Sequence, residues 1–258
     1  MAKILENLSQ HLENHIQDYD YIVLYTDLRF LAEYPEIVQK KNILLSEIFS
    51  ILKKTNKTFF TPGYSYTTSG RFNIESTPTS VSALSKWLIG NKDINRSAHP
   101  LFSYIGFGKN TDLLDNIGKS AFGYNSLYYR LRNKNAGFLH LGREVFLGNT
   151  VIHYIEHMAG ASYRFHKFFN TDVFNNGEYV DTNYSAFVRR RDVEGHDFLF
   201  NFKNCAEALF NNKLITETSG VVDTPYLASY SLDKSCDLMF NMFEENSSFF
   251  LNAKFNQS

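Results

Sequence analysis

Three short runs that are apolar on both faces constrain this chain more than anything else in it. Tyr21–Tyr25 reads YIVLY, Leu101–Phe107 LFSYIGF and Gly137–Leu141 GFLHL. A strand without a polar face has no solvent side, so it belongs inside a sheet covered by helices on both faces, the usual setting of parallel strands. A further strand, Lys57–Thr61, leads into Pro62-Gly63. Helical spacing supplies the covering layers. Ile4, Leu5, Leu8 and Leu12 share a face over Lys3–His15, and Glu36–Lys53 and Asn149–Met158 read as further helices. Thr77 and Pro78 suit a helix start, with Val81, Leu84 and Leu88 at helical spacing behind them. Short helices are expected at Asp112–Asn116 and Leu127–Leu131.

From Ser162 the pattern changes to alternating strands. Asn175-Asn176-Gly177, between HKFFNTDVF and EYVDTNYSAFV, is a hairpin signal. The chain closes with a helix over Asn204–Asn212, a strand over Leu214–Glu217 and a helix from about Pro225 to Glu245. No linker, low-complexity tract or repeat divides the 258 residues. The expected fold is α/β: a single three-layer α/β/α domain over residues 1–258, with a central, largely parallel sheet and an added β-hairpin.

Composition narrows the function by exclusion. A net charge of −1 argues against nucleic acid and a charged membrane surface as partners. The two cysteines, Cys205 and Cys236, lie far apart, which suits a cytoplasmic location better than a disulfide scaffold. The N-terminal stretch is amphipathic and carries acids, unlike a signal peptide, and no apolar run reaches the roughly 20 residues that span a bilayer.

In an open α/β sheet, ligands sit beyond the carboxyl ends of the strands. Thr26 and Asp27 follow the first strand directly, so they are candidates for a site or, more plainly, for a strand-to-loop cap. Gly142, Arg143 and Glu144 hold the same position after Leu141. Gly63–Phe72 is a polar, aromatic loop of the kind that lines pockets, and Tyr64 and Tyr66 in it could stack on a flat ring. Ser76 and Thr77, with the following Arg96-Ser97-Ala98-His99-Pro100, offer donors suited to phosphate. His153 lies one turn into the Asn149–Met158 helix, where a near-neutral imidazole can accept a proton. His153 to His157 also spells H-x-x-E-H, a zinc-peptidase pattern, but no third ligand follows it, and no metal is expected. Arg189-Arg190-Arg191 is either a solvated run or a set of ligands for a diphosphate.

Three blocks in order carry a resemblance to the aminoglycoside 3-N-acetyltransferase family. They are the T-P segment closed by R-S-x-H-P (Ser76–Pro100), GFLHLGRE (Gly137–Glu144) and the N-T-x-x-H stretch in GNTVIHYIEHMAG (Gly148–Gly160). The resemblance implies acyl-CoA as co-substrate, either acetyl-CoA or a longer acyl-CoA, held by Thr26, Ser76, Thr77, Arg96, Ser97 and His99. It implies His153 as the catalytic base for acyl transfer to an amine. The family orients that histidine with an acid after the hairpin, where this chain has Asn183-Tyr184-Ser185-Ala186. Glu156 and Asp181 are the substitutes. The family's F-D-P segment is here Phe72-Asn73-Ile74, an amide for an acid. A polycationic aminoglycoside needs carboxylates. Losing an acid and gaining Arg189 and Arg190 favours a nucleotide-linked amino sugar, with Asp27, Tyr64 and Tyr66 as further substrate contacts. An aminoglycoside acetyltransferase that confers antibiotic resistance, a non-catalytic CoA-binding relative and a zinc hydrolase remain as alternatives. The partners expected are small molecules, and the oligomeric state is left open, a homodimer included.

Overall fold

The computed structural model describes residues 1–29, 39–190, 199–219 and 224–252. Among these residues the elements run α1 (Ala2–Ile16), β1 (Tyr21–Thr26), α2 (Lys41–Lys54), β2 (Thr58–Pro62), β3 (Gly70–Asn73), α3 (Ala83–Leu88), β4 (Asn95–Arg96) and β5 (Tyr104–Phe107). They continue with α4 (Leu127–Leu131), β6 (Ala136–Leu141), α5 (Val151–Met158), β7 (Arg164–Phe169), β8 (Thr171–Asn175), β9 (Glu178–Asp181) and β10 (Tyr184–Arg189). The last four are α6 (Phe202–Asn211), β11 (Thr216–Thr218), β12 (Leu227–Ser231) and α7 (Leu232–Glu245).

Seven strands form the central sheet in the order β11-β12-β6-β1-β2-β5-β4. The three at its centre, β6, β1 and β2, pair parallel, and antiparallel strands extend them on both sides. The apolar runs explain the layers. Successive side chains of a strand point to opposite faces. Ile22 and Leu24 pack with α1, α2 and α3 on one face, while Val23 and Tyr25 pack with α4 to α7 on the other. The fold is therefore the expected mixed α/β domain. At the added hairpin, Asn176 and Gly177 both take positive φ, 50° and 85°, and join β8 to β9, with β3 alongside β8 in parallel. A separate antiparallel pair, β7 with β10, holds Arg164 opposite Arg189.

Four local expectations change. Glu36 lies outside the described residues, and the helix assigned to Glu36–Lys53 is α2 from Lys41. The helix expected after Thr77-Pro78 starts only at Ala83, because the Ser82 hydroxyl accepts from the Ser85 N–H. Thr77 is instead spent in a turn, where its hydroxyl accepts from the Asn73 N–H. Leu101 to Ser103 is a turn and not strand, since His99 Nδ1 accepts from the Leu101 and Phe102 N–H groups. Finally, Leu227–Ser231 is a strand between β6 and β11, and the helix begins where Ser231 caps it. Tyr230 and Leu227 are buried on opposite faces there, a strand-type alternation.

Arg96 ties the loop before α3 to the sheet. Its guanidinium is buried and donates to the carbonyls of Gly63, Ile74 and Thr77 and to the Ser103 hydroxyl. Burial lowers its pKa to about 10, so it remains a cation at neutral pH. Arg96→Ala removes the donor from the Ile74 and Thr77 carbonyls, leaves Gly63 with the Ser103 hydroxyl alone, and empties a buried site, and it is expected to cost about 3 kcal/mol of unfolding free energy in urea titrations. An unchanged midpoint would contradict this structural role.

Candidate active site

A cavity of about 660 Å³ opens beyond the carboxyl ends of β1 and β2. Its walls come from the end of β1 (Tyr25, Thr26, Asp27), the loop after β2 (Tyr64, Tyr66), the start of α3 (Ser82, Ala83, Ser85) and the segment from Arg143 to His153. Gly148 lets that last segment turn into α5. It takes φ 67°, and a Cβ there would meet the Phe202 ring at 2.1 Å. Asn149 stands just before Thr150, the residue at the helix start, and holds the turn there: its Oδ1 accepts from the Val151 N–H while its amide donates to the Tyr230 hydroxyl.

Among the described residues His153 is the one histidine lining the cavity. Its ring lies between Phe122 and Phe200, with centroids at 5.3 and 4.9 Å. Nδ1 is 3.0 Å from Glu156 Oε2. Glu156 is fully buried, and Oε2 also accepts from Arg164 at 2.6 Å while Oε1 accepts from the Tyr163 hydroxyl at 2.8 Å. Arg164 is anchored in turn on the Phe187 carbonyl. Its Nη2 also lies 3.1 Å from His153 Nδ1. A carboxylate can only accept, so the consistent assignment keeps a proton on His153 Nδ1, donated to Glu156 Oε2, and leaves Arg164 donating to the carboxylate as well. Nε2 then carries a lone pair, and it makes no hydrogen bond among the described residues.

Electrostatics supports this protonation state. Burial on its own would raise the Glu156 pKa, but the His153 hydrogen bond and the Arg164 charge outweigh it and hold the carboxyl below its ordinary value. Burial foremost, with the Arg164 charge, lowers His153 against the opposing pull of Glu156. The imidazole is therefore neutral at neutral pH, on a residue that lines the cavity.

The remaining residues singled out in the sequence divide into two groups. Thr26, Asp27, Tyr64 and Tyr66 line the cavity with His153, and Glu156 stands behind it. Ser76, Thr77, Arg96, Ser97 and His99 do not line it. Ser97 accepts from the Tyr104 N–H, and His99 is buried with Nε2 donating to the Ser185 carbonyl, so Arg96-Ser97-Ala98-His99 pins loops and presents no donors to the cavity. Asp181 is ion-paired with Lys119 at 2.6 Å on the surface and does not contact His153. Arg189 covers Phe200 at 4.2 Å without lining the cavity, Arg190 is exposed, and Arg191 lies outside the described residues. Among the described residues the cations that line it are Arg29, Lys41 and Arg143, and the one carboxylate is Asp27, which is already paired with Arg29. Arg29 and Lys41 carried no motif, and only their place beside the strand ends reveals them. Among the described residues no cluster of three or more His, Cys, Asp or Glu is placed to hold a metal, and His157 packs on His166 and Phe187 instead.

A neutral histidine backed by a buried carboxylate, lining a cavity at the end of an α/β sheet, is chemically able to take a proton from a nucleophile. The profile for aminoglycoside 3-N-acetyltransferases matches residues 53–243, well over half of the chain. The chain belongs to the aminoglycoside 3-N-acetyltransferase family, whose reaction is acyl transfer to an amine. Solved structures share the fold at low identity. The YokD protein from Bacillus subtilis is 16% identical, covering 94% of this chain and 99% of its own, with a TM-score of 0.69. The aminoglycoside acetyltransferase AAC(3)-Xa is 15% identical over 94% of this chain and 93% of its own, with a TM-score of 0.74. AAC-VIa bound to sisomicin is 15% identical over 93% and 97%, with a TM-score of 0.71. A comparison with curated proteins returns no match.

Because His153 is held below the ordinary histidine pKa, its basic form persists to lower pH. The acid limb of kcat/KM is expected below pH 6.5, with a plateau by neutral pH. Glu156→Gln removes the charge that compensates the buried Arg164 and is expected to lower the melting temperature as well as the rate. A limb at or above pH 6.5 in the wild type would contradict the assigned environment.

Proposed function

We propose that this chain transfers an acyl group from an acyl-CoA, acetyl-CoA included, to the amine of an amino sugar. The observation that carries the reading is the His153 Nε2 lone pair, fixed by the Nδ1–Glu156 contact, on a residue that lines a cavity of about 660 Å³. A protonated amine has no pair with which to attack. The ammonium loses one proton to solvent to free that pair, and as the amine nitrogen bonds to the thioester carbonyl carbon Nε2 takes a second proton from it. As the tetrahedral intermediate collapses, the C–S bond breaks and the CoA thiolate leaves with the pair, taking that second proton from His153, so that a neutral amide and a thiol result.

Lys41 is suited to CoA phosphates in place of the Arg96–His99 stretch, and a phosphate could compete for Arg29, now held by Asp27, and for Arg143, whose Nη2 now donates to the Leu147 and Gly148 carbonyls. Among the described residues these cations outnumber Asp27, which favours a nucleotide-linked amino sugar, whose diphosphate needs cations, over a polycation. Two free, buried cysteines fit the cytoplasmic setting where acyl-CoA is available. A second reading has its own support: AAC-VIa, with the same fold, is bound to sisomicin, so an aminoglycoside amine is the competing acceptor.

Thiol release from acetyl-CoA and longer acyl-CoAs, measured against nucleotide-linked amino sugars beside aminoglycosides, separates the two. The expected result is CoA release with a nucleotide-linked sugar; release with aminoglycosides alone would establish the second reading. His153→Ala is expected to lose nearly all turnover while still binding CoA by calorimetry, and near wild-type turnover would remove His153 from its role.

A further inference from the structure

Five hydroxyls converge at the floor of the cavity. Thr150 Oγ1 lies 2.8 Å from the phenol oxygens of Tyr64 and Tyr128, 3.0 Å from Tyr25 and 3.3 Å from Tyr104. The phenols are also linked in pairs, Tyr25 to Tyr128 at 2.6 Å and Tyr64 donating to Tyr104 at 2.8 Å. They come from four separate places: β1, the loop after β2, β5 and α4. Thr150, Tyr25 and Tyr64 line the cavity, while Tyr104 and Tyr128 stand behind them.

Packing does not require this arrangement. Tyr104 and Tyr128 are essentially inaccessible, and phenylalanine would fill the same space with no polar group to satisfy. Each hydroxyl has one proton to donate and two lone pairs that accept. Six hydroxyl–hydroxyl contacts exceed the five protons available, and the Thr150 N–H adds a further donor to Tyr25 at 3.3 Å. With Tyr64 donating to Tyr104, Tyr104 and one of the Tyr25–Tyr128 pair fill both Thr150 lone pairs, and the Thr150 proton is directed to Tyr64, from which an oxygen bound in the cavity can draw it. Burial raises the pKa of all four phenols, so at neutral pH the cluster supplies protons and does not accept them. Thr150 also sits three residues before His153, on the same face of α5. A group that needs hydrogen-bond donors next to a base that has just removed a proton is the oxygen of a tetrahedral intermediate.

We propose that the Thr150 hydroxyl is the donor to that oxyanion, with Tyr64 and Tyr25 completing its cavity-facing shell, and that Tyr104 and Tyr128 are positioning residues that donate into the front hydroxyls. This rests on the acyl-transfer reading above. When the amine attacks, the carbonyl π pair moves onto oxygen and accepts the Thr150 O–H; on collapse the pair re-forms C=O as the thiolate departs, and Thr150 keeps its proton throughout. Preorganised hydroxyls linked in a chain polarise one another in a low-dielectric site, which strengthens the terminal donor.

The test uses thiol release from acetyl-CoA with whichever amine of the panel the wild type accepts. Thr150→Val is expected to lower kcat by about 10²-fold, the scale of one oxyanion donor, with KM for both substrates within about threefold. Thr150→Ser, which keeps the hydroxyl, is expected to stay close to wild type. Tyr104→Phe is expected to lower kcat about tenfold with KM unchanged, and to have no further effect in the Thr150→Val background, since both act on one donor. Melting temperatures within a few degrees of wild type show that the variants fold. Full kcat in Thr150→Val, or additive losses in the double variant, would overturn the inference while leaving the transferase reading intact. A wild type that folds, binds CoA and acylates no amine would sink both together.

Discussion

One buried contact organises the chemistry of this protein: the Glu156 carboxylate between Arg164, Tyr163 and His153. A fully buried carboxylate is tolerated only when its charge is matched and its lone pairs are filled. Arg164 supplies the charge, Tyr163 fills one oxygen, and the His153 Nδ1–H fills the other. Each partner is then fixed by the need to satisfy the acid. Arg164 lies on β7, opposite Arg189 of β10, so the two-stranded sheet outside the main one exists in part to bring this cation under α5. The histidine tautomer follows as a consequence, and with it a lone pair on Nε2.

The rest of the fold delivers α5 to the right place. The parallel β6-β1-β2 core puts three strand ends on one edge, and Gly148 allows the chain to turn tightly there against Phe202. Arg96 and His99 hold the surrounding loops without touching the cavity, which explains why residues suited to phosphate binding are found in a structural role. Burial decides between the two uses. A buried arginine with four of its five N–H groups on main-chain carbonyls and one hydroxyl of its own chain is committed to the fold.

Much of this was legible from sequence, and for physical reasons. Apolar runs such as YIVLY state their burial directly, and Asn176-Gly177 states its turn. His153 was visible because its chemistry is rare and its helix position regular. Glu156 was one of two candidates, and i,i+3 proximity decided for it over Asp181, which a surface lysine holds. The cationic lining and the hydroxyl cluster were not legible. Arg29, Lys41, Tyr104 and Tyr128 are ordinary residues in sequence, and only the convergence of separate elements gives them a common neighbour. Likewise Leu227–Ser231 read as helix because Pro225 suggested a start, whereas pairing with β6 and β11 outweighed the local signal.

The central claim is that the buried acid presents a neutral His153 with its lone pair on Nε2. Nitrogen-15 NMR of the imidazole at neutral pH, assigned by comparison with His153→Ala, tests it without any substrate. The account predicts a neutral ring protonated on Nδ1, remaining so below pH 6.5. An imidazolium at neutral pH, or a neutral ring protonated on Nε2, would contradict it.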